Sequence, residues 1–483
     1  MSKEKKFSRE PQYLNDENSS QFIDSLSYYN ETTPDFVNLN DLSEEDLGHQ
    51  ITIQARIKSV RRQGKIAFAD IQGSNPNNIL QTVLPTPAGE KRELFKSLNL
   101  KRGSIIKLQG SLVMRPEDTV VEKGNNRFSR YEFQTDPENI EIVINPEKTD
   151  SSLNWKGLVE SGLLTPEFYG EIIRMPEFIR VQKLRDAVGR TFINHFLNQG
   201  FTEIDVPALT QSISESGAEV FKVSGKAGEL TLNQSPQQVK QIMAAIFEGV
   251  VTKGRFFRDD PSFTAHHLAE FTGLDMEMQL RFGDKWQAMG DVMKHLEFAV
   301  RSMVLELENH KEAVEENGAV MPEIPDPGIP ILDYNTALGY VQDKYPDIHE
   351  FNRKAEGYIA ELVKTTTNSD FYFIVGFPDK DKPFYTDTTG DGNTYSFDLI
   401  YRGVEISSGG LRINDPDLLR QRLVDKGFTD LDQFQDYLDT FSRGTPQTGG
   451  FGLGMERFIA NSLGGINVRL TTLFPKTAKS LLG

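Results

Sequence analysis

Five short runs of alternating apolar and polar residues, all within about 95 residues, constrain the fold more than any other feature. Alternation with a period of two is the pattern of strands that bury one face. Glycines and an Asn75–Pro76 pair separate the runs, as expected of turns. Short strands at this spacing predict a small closed β-barrel. The runs are ITIQARI (51–57), IAFADI (66–71), ILQTVL (79–84), SIIKLQGSLV (104–113) and ENIEIVI (138–144).

A different pattern begins near Thr165. Apolar residues recur at helical spacing over 178–199, and Ser235–Pro236 is a typical helix start. A strand-like segment around Asp275 places that acid on the same face as Glu277. Strands and helices do not alternate regularly here, which favours an antiparallel sheet flanked by helices, an α+β domain.

These patterns divide the 483 residues into a polar extension (1–45), the barrel (46–145), a linker (146–164) and the α+β domain (165–483). The chain has no cysteine, which excludes disulfides and thiolate metal sites and favours a reducing compartment. The N-terminus lacks the apolar core of a signal peptide, and no stretch approaches about 20 uninterrupted apolar residues. We therefore expect a soluble cytoplasmic protein without a membrane span.

Charge is distributed unevenly along the chain. The net charge of −17 argues against a generic nucleic-acid-binding protein. Residues 1–50 hold 11 acidic and 4 basic residues, and a basic stripe follows. The stripe is compatible with a phosphate-binding surface and with a solvated strand edge, and charge alone favours the edge. Its members are Arg56, Lys58, Arg61, Arg62 and Lys65.

The segment SFDLIYRGVEISSGGLRIND (396–415) concentrates polar side chains. A hairpin at Arg402–Gly403 can bring Asp398 close to Glu405, and two carboxylates so placed suit a magnesium ion that bridges phosphate oxygens. Further along, Arg412 offers a planar fork to a carboxylate. A hairpin with a bulge would explain the same residues without a ligand, so both interpretations stand at this point.

Other candidates are weaker when taken singly. Taken alone, Asp275 fits a solvated acid better than a ligand contact, and an ion pair with its neighbours explains Arg258 as well as a phosphate contact does. The glycine-rich run GGFGLGMERF (449–458) is neither a Walker loop nor the opening of a dinucleotide-binding unit. Arg457 would lie in the first turns of the helix that follows.

Together and in this order, three segments resemble the three motifs of class II aminoacyl-tRNA synthetases. Motif 1 is the helix over 178–199 with FTEIDVPALT, motif 2 is GRFFRDDPSFTAHHLAEFTGLDMEM, and motif 3 is GFGLGMERFIA. A barrel in front of them matches the subgroup for aspartate, asparagine and lysine. The resemblance covers roughly residues 50–483, and it implies a five-stranded OB-fold that binds the anticodon, followed by a class II catalytic domain.

Within that subgroup, QSPQQVKQ (234–241) resembles the aspartyl signature, whose lysine meets the substrate side chain. Here that lysine is Lys240, and Arg412 matches an arginine that meets the same carboxylate. An amide in its place would leave two cations unneutralised, at a cost on the order of several kcal/mol. The resemblance places the other amino-acid contacts at Glu215, Gln237 and Asp275.

The resemblance also implies sites for ATP, Mg²⁺ and tRNA. Arg258 would hold the α-phosphate, Phe271 would stack on adenine, and Arg457 would contact the γ-phosphate. In the barrel, aromatic stacking beside a basic stripe is how OB-folds hold single strands, which changes the interpretation of the stripe to a tRNA contact. The remaining implied residues are Asp260 and His267 for ATP; Asp398, Glu405 and Ser408 for Mg²⁺; and Arg61, Arg62, Phe68 and Gln81 for the anticodon.

The activity implied is ATP-dependent formation of aspartyl-adenylate and transfer of aspartate to tRNA-Asp. Asparaginyl specificity, or a non-catalytic tRNA-binding protein, is the alternative. Motif 2 departs from the family, with Asp260 where glutamate is usual and His266 where arginine is usual. The chain lacks the large insertion of the bacterial aspartyl form and resembles the archaeal and eukaryotic form, so we expect a homodimer through motif 1.

Overall fold

The computed structural model describes residues 37–73, 78–116, 120, 126, 128–146, 154–161, 166–210, 219–226, 228–259, 264–281, 283–326, 328–477 and 480–481. The chain divides into two compact units, Met1–Ser152 and Leu153–Gly483. Among the described residues, no helix combines the length and the apolar character needed to cross a membrane.

The described part of the first unit forms a six-stranded sheet. Its strand order is β1-β2-β3-β5-β4-β6, with an additional pairing between β1 and β4. Five strands match the predicted runs, and the short β5 is an addition, because four residues are too few to show alternation. The elements are β1 (Gln50–Gln63), β2 (Ile66–Gln72), β3 (Ile79–Pro85), α1 (Glu90–Ser97), β4 (Ile105–Met114), β5 (Tyr131–Gln134) and β6 (Ile140–Ile144).

The second unit begins with three helices and the strands that lead to its main sheet. The first of these helices lies inside the range predicted as a linker. The elements are α2 (Trp155–Ser161), α3 (Pro166–Ile172), α4 (Pro176–Leu197), β7 (Thr202–Glu203), β8 (Leu209–Thr210), β9 (Lys222–Gly225), β10 (Gly228–Leu232), α5 (Gln237–Phe247), β11 (Gly249–Phe257), β12 (Glu270–Gln279) and α6 (Lys285–Glu308).

The rest of this unit supplies the other half of the sheet and the helices that cover it. The elements are α7 (Lys311–Glu316), β13 (Ile331–Asp333), α8 (Tyr334–Lys344), α9 (Arg353–Thr367), β14 (Phe371–Val375), β15 (Ser396–Tyr401), β16 (Val404–Leu411), α10 (Pro416–Asp425), α11 (Gln435–Ser442), β17 (Thr448–Gly454), α12 (Met455–Ser462), β18 (Lys476–Thr477) and β19 (Ser480–Leu481).

The main sheet has the order β13-β14-β15-β16-β17-β12-β11-β7, and its central pairings are antiparallel. Parallel pairing occurs at the edges, between β13 and β14 and between β11 and β7. The predicted α+β class is therefore confirmed for this unit. The predicted strand FTEIDV was wrong in length, since β7 pairs with β11 through Thr202 and Glu203 alone.

The sheet buries both of its faces at β12. Leu274 and Met276 point into the main core, where they pack with α4 and α6, as the alternation predicted. Asp275 and Glu277 lie on the opposite face, and their exposed fractions are only 5% and 0%. Buried carboxylates need partners, because an unpaired charge in a low dielectric is costly. The identity of those partners defines the candidate site.

Candidate active site

A cavity of about 740 Å³ lies against the polar face of β12. Its walls come from α5, β11, β16, β17 and the start of α12. Glu215 and Asp260, which were also selected from the sequence, lie outside the described residues. The selected side chains that line the cavity are Gln237, Lys240, Arg258, His267, Phe271, Asp275, Asp398, Glu405, Ser408, Arg412 and Arg457.

The glycine-rich strand β17 forms the floor beneath the two buried carboxylates. A Cβ atom at Gly450 would lie 2.3 Å from Glu277 Oε2, and one at Gly452 would lie 2.7 Å from Asp275 Oδ1. Both distances are shorter than a Cβ contact allows, and a Cβ at Gly450 would also lie 2.2 Å from the Met276 carbonyl oxygen, so a side chain at either position would displace the acids or the neighbouring strand. The glycine-rich run 449–458, which was weak evidence when taken alone in the sequence, thus has a steric explanation.

One end of the cavity is a buried network of two acids and two cations. Lys240 Nζ lies 3.1 Å from Asp275 Oδ1 and 3.6 Å from Glu277 Oε2, and it donates to the Phe451 carbonyl at 2.9 Å. Arg412 Nε donates to Glu277 Oε1 at 3.1 Å. Glu277 is therefore shared by both cations. We call Lys240, Asp275, Glu277 and Arg412 the buried tetrad.

Burial and pairing oppose each other in the tetrad. Burial raises the pKa of Asp275, and the charge of Lys240 offsets part of that effect. For Arg412, burial acts to lower the pKa, but the charge of Glu277 and its hydrogen bond outweigh it and leave the pKa raised. The argument that an amide substrate would leave Lys240 and Arg412 unneutralised was therefore wrong as stated, because both cations already have carboxylate partners.

Helix α5 brings Lys240 to this position. The helix begins at Gln237, where the sequence predicted it, but its N-cap is Pro236, and Ser235 accepts from Gln237 N at 3.1 Å one residue before the cap. Lys240 follows one turn later and faces the same cavity as Gln237. The next residue, Gln241, is fully buried and anchors the helix by donating to the Ile413 carbonyl at 3.0 Å. The lysine is thus held by a rigid element.

At the other end of the cavity, the predicted hairpin brings three polar residues together. Arg402 and Gly403 have φ values of 48° and 76°, the left-handed conformation of a tight turn. Asp398 pairs with Ser408, but a register shift follows between Leu399 and Ile400. Glu405 and Ser408 are three residues apart and would point to opposite faces of a regular strand. The bulge returns them to the same face.

Arginines and an aromatic ring complete this end. The Arg258 guanidinium carbon lies 5.4 Å from the centre of the Phe271 ring, in cation–π geometry. Arg457 Nη1 donates to the Glu405 carbonyl at 3.0 Å. The neighbouring Glu456 fixes the start of α12, since its carboxylate accepts from Thr272 N at 3.0 and 3.1 Å. We call this end, with the hairpin, the phosphate end, after its cationic side chains.

Residues 168–478 match the family model for class II tRNA synthetases (D, K and N). The chain belongs to this family. An aspartate–tRNA(Asp/Asn) ligase from Aeropyrum pernix is 30% identical over 449 residues, 91% of this chain and 97% of that protein. An aspartate–tRNA(Asp) ligase from Pyrococcus horikoshii is 29% identical over 455 residues, 92% and 98% of the respective chains.

The fold agrees with that membership. An asparaginyl-tRNA synthetase from Pyrococcus horikoshii, complexed with asparaginyl-adenylate, superposes with a TM-score of 0.77 at 24% identity. The match covers 92% of this synthetase and 99% of that chain. Likeness at this identity establishes the fold and leaves the choice of amino acid to the residues of the site.

Sequence reasoning missed two residues of this synthetase site. Glu277 was placed on the correct strand face but given no role, although its alternation with Asp275 was a usable signal. Lys382 carried no signal at all, because it lies in an irregular segment between β14 and β15. Its Nζ donates to Asp398 Oδ1 at 2.6 Å and to Ser408 Oγ at 3.3 Å.

Lys382 affects the pair of carboxylates predicted to bind magnesium. Burial raises the pKa of Asp398, Lys382 counteracts that effect, and Glu405 adds to it. Within the described part of the synthetase, no cluster of three or more His, Cys, Asp and Glu side chains is arranged to hold a metal. Two carboxylates and a hydroxyl nevertheless fit Mg²⁺, which commonly takes one or two carboxylates together with substrate phosphates.

In the first unit of the synthetase, three of the four selected residues share one face. The Arg61 guanidinium lies 5.2 Å from the centre of the Phe68 ring, on the neighbouring strand. Gln81 pairs with Asp70, whose carboxylate is 3.7 Å from Arg61. Arg62 instead donates to the Gly64 carbonyl of the turn, at 3.4 Å. The face therefore combines an aromatic ring, an amide and a cation that has a carboxylate beside it.

Proposed function

We propose that this synthetase is an aspartate–tRNA ligase, which activates L-aspartate with ATP and transfers it to tRNA-Asp. The observation that carries the proposal is the sharing of Glu277 by Lys240 and Arg412. When the substrate ammonium takes Asp275 as its partner, Glu277 alone opposes two cations. The region then keeps about one positive charge, which suits the side-chain carboxylate of aspartate better than a neutral amide.

The first reaction is attack of the aspartate α-carboxylate on the α-phosphorus of ATP, with pyrophosphate as the leaving group. No side chain needs to act as a nucleophile, so catalysis rests on positioning and on neutralising the charge that develops. Arg258 holds the α-phosphate, Phe271 stacks on adenine, and Arg457 contacts the γ-phosphate. His267 is held near the triphosphate by Thr264, whose Oγ1 lies 2.6 Å from His267 Nδ1.

Asp398, Glu405 and Ser408 are the residues that would hold Mg²⁺. Two observations support this assignment: the bulge places the three side chains on one face, and all of their donor atoms are oxygens. The ion would neutralise negative charge on the phosphates as pyrophosphate leaves. In the protein without a metal ion, Lys382 donates hydrogen bonds to both Asp398 and Ser408 and so keeps these two side chains together.

For the second reaction, we propose that residues 46–145 form an OB-fold that binds the tRNA anticodon. The pairings β1–β2, β2–β3, β3–β5, β5–β4 and β4–β1 support it, since they give each of five strands two hydrogen-bonded neighbours. Stacking of bases on Phe68, reading of a base by Gln81 and phosphate attraction by Arg61 would fit the face they share. The polar extension (1–45) and the linker (146–164) would flank this domain, and residues 165–483 would form the catalytic domain.

We also propose a cytoplasmic homodimer assembled through motif 1. Large apolar side chains are exposed along motif 1 and the adjoining helix α6, which packs on α4, and such surface favours association. Sedimentation velocity tests the proposal, because a monomer at micromolar concentration would contradict it. The exposed side chains are Leu197, Leu209, Phe298 and Leu305.

Pyrophosphate exchange with ATP, measured with aspartate, asparagine and lysine in parallel, tests the choice of amino acid. Exchange with aspartate alone is the expected result. Exchange with asparagine would overturn the aspartate assignment, and no exchange with any of the three would indicate a non-catalytic synthetase-derived protein. Charging of purified tRNA-Asp and tRNA-Asn then decides whether this synthetase acts on tRNA-Asp alone, like the Pyrococcus horikoshii relative by its name, or on both tRNAs, like the Aeropyrum pernix relative by its name.

A further inference from the structure

A contact at the rim of the phosphate end joins two elements that no motif connects. His266 follows β11 in the motif 2 loop and lines the cavity. Arg353 is the first residue of α9, nearly 90 positions further along the chain. Its Nη2 lies 2.5 Å from His266 Nε2. Through this contact, α9 delivers a guanidinium to the edge of the ATP-binding region.

The electrostatic surroundings place Arg353 close to the residues that face the triphosphate. Burial lowers the pKa of His266, and the charges of Arg353 and Arg457 lower it further. The same two arginines act on Glu356, which lines the cavity one turn into α9. The charges of Arg353 and Arg457 thus act on the same pair of side chains.

The partner of Arg353 differs from the partners of Arg412 and Arg457, two arginines that line the cavity. Arg412 pairs with a buried carboxylate, and Arg457 lies 3.9 Å from Glu405 Oε1. Arg353 is solvent-exposed, and its hydrogen bond in the described part of the chain is to an imidazole. A neutral imidazole accepts one hydrogen bond and leaves most of the positive charge uncompensated. A guanidinium in this state is suited to a phosphate oxygen.

We propose that Arg353 is an ATP-binding residue that contacts the β- or γ-phosphate, with His266 holding its guanidinium at the rim of the cavity. The inference rests on the proposed function, which identifies the bound nucleotide as ATP. It assigns to α9, an element outside the three motifs, a part in binding the leaving group. His266 acts as a positioning residue for Arg353.

Binding of ATP and of AMP to the full chain, in the absence of any amino acid, tests this proposal. Arg353→Ala is expected to weaken ATP binding about tenfold, the loss typical of one charge-assisted hydrogen bond, and to leave AMP binding within about twofold. Arg353→Lys should recover part of the loss, because it restores the charge without the fork. Lys354→Ala is the matched control, since it removes a neighbouring exposed cation that lies over the Tyr345 ring.

The rescue experiment separates phosphate binding from a structural role. Adding His266→Arg to Arg353→Ala returns a guanidinium to the same rim from the other element, and recovery of ATP binding is expected. Equal losses for ATP and AMP, or no loss for ATP, would overturn the proposal. Failure of aspartate-dependent exchange in the wild type would overturn the proposed function while leaving this comparison of nucleotides intact.

Discussion

The two ends of the cavity differ in how their charged side chains are paired. In the buried tetrad, every side chain has a partner from the protein and almost no contact with solvent. At the phosphate end, Arg258 and Arg353 are solvent-exposed, and they contact an aromatic ring and an imidazole, respectively. The first end is complete without a substrate, whereas the proposed function assigns the main counter-charges of the second end to the nucleotide.

This difference has a physical basis in the sheet. The two acids of the tetrad lie on the central strand β12, whose register is fixed over many residues by pairing with β17 from Gln279 to Gly273. Cations at the phosphate end come from a loop and from the first turns of helices, where a side chain can reorient at little cost. Substitutions in the tetrad should therefore damage stability and amino-acid use together. Substitutions of the arginines at the phosphate end should damage nucleotide use alone.

The largest effect is expected from Glu277→Gln. This substitution tests whether the four side chains of the tetrad depend on one another, unlike those of the phosphate end. Removing one charge from a buried network costs about 3–5 kcal/mol, because the cations lose a partner that water cannot replace. We expect the free energy of unfolding in urea to fall by about 3 kcal/mol and aspartate-dependent exchange to fall at least about 100-fold. Glu270→Gln, on the same strand but partly exposed, is the control, and an equal loss there would contradict the prediction.

Lys240→Gln should give the next largest effect. The glutamine keeps a polar end but loses the charge that faces aspartate, so kcat/KM for aspartate should fall about 100-fold, which corresponds to about 2.7 kcal/mol. The KM for ATP should change less than about threefold, since the nucleotide lies at the other end. Lys253→Gln on β11 is the control. Unchanged kcat and KM for aspartate would remove Lys240 from the amino-acid site.

Arg457→Gln tests the phosphate end of the cavity in the same way. We expect the KM for ATP to rise about 10- to 30-fold, because one charged contact to the triphosphate is lost. The free energy of unfolding should stay within about 0.5 kcal/mol of the wild type, as for most partly exposed side chains. Arg420→Gln, an exposed substitution on α10, provides the baseline. A loss of several kcal/mol in stability would show that the phosphate end is as preorganised as the tetrad.

Gln81→Ala tests a region that belongs to neither end. Charging of tRNA should fall about tenfold, as expected from the loss of a base contact worth about 1–3 kcal/mol, and pyrophosphate exchange should not change. The control is Gln109→Ala on β4, which removes an exposed glutamine from another strand. Equal losses in charging and exchange would identify Gln81 as a folding residue.

The smallest effect concerns pH at the phosphate end. Burial, with the charges of Glu405 and Asp398, raises the pKa of Glu356 from 4.5 to about 7. A carboxyl whose pKa is raised by folding stabilises the protein fully below its unfolded pKa, and that contribution is lost as the pH rises through the folded pKa. Because the side chain is partly exposed, we expect an effect of only about 1 kcal/mol.

Urea unfolding at pH 5 and pH 8 measures this contribution of Glu356. The wild type should lose about 1 kcal/mol more between the two pH values than Glu356→Gln, which carries no titrating group at that position. Glu361→Gln, an exposed position on the same helix, should follow the wild type. Parallel pH profiles for the wild type and Glu356→Gln would mean that Glu356 ionises near its ordinary pKa.

Local pattern alone was enough for much of the molecule. The period-two alternation at β12 placed Asp275 and Glu277 on one face, and the helical spacing over 178–199 predicted α4 to within two residues at each end. These features depend on neighbours in the chain, so they can be read without the fold. The order of the three motifs likewise identified the family, because it required no knowledge of distances.

What the tertiary structure decided was the pairing of residues far apart in the chain. The sharing of Glu277 by Lys240 and Arg412, the insertion of Lys382 between Asp398 and Ser408, and the approach of Arg353 to His266 join separate elements. The bulge that turns Glu405 toward the cavity depends on strand register, which the residues of β16 do not specify alone. Sequence therefore selected the chemistry of the site, and the register of the sheet decided which charges meet.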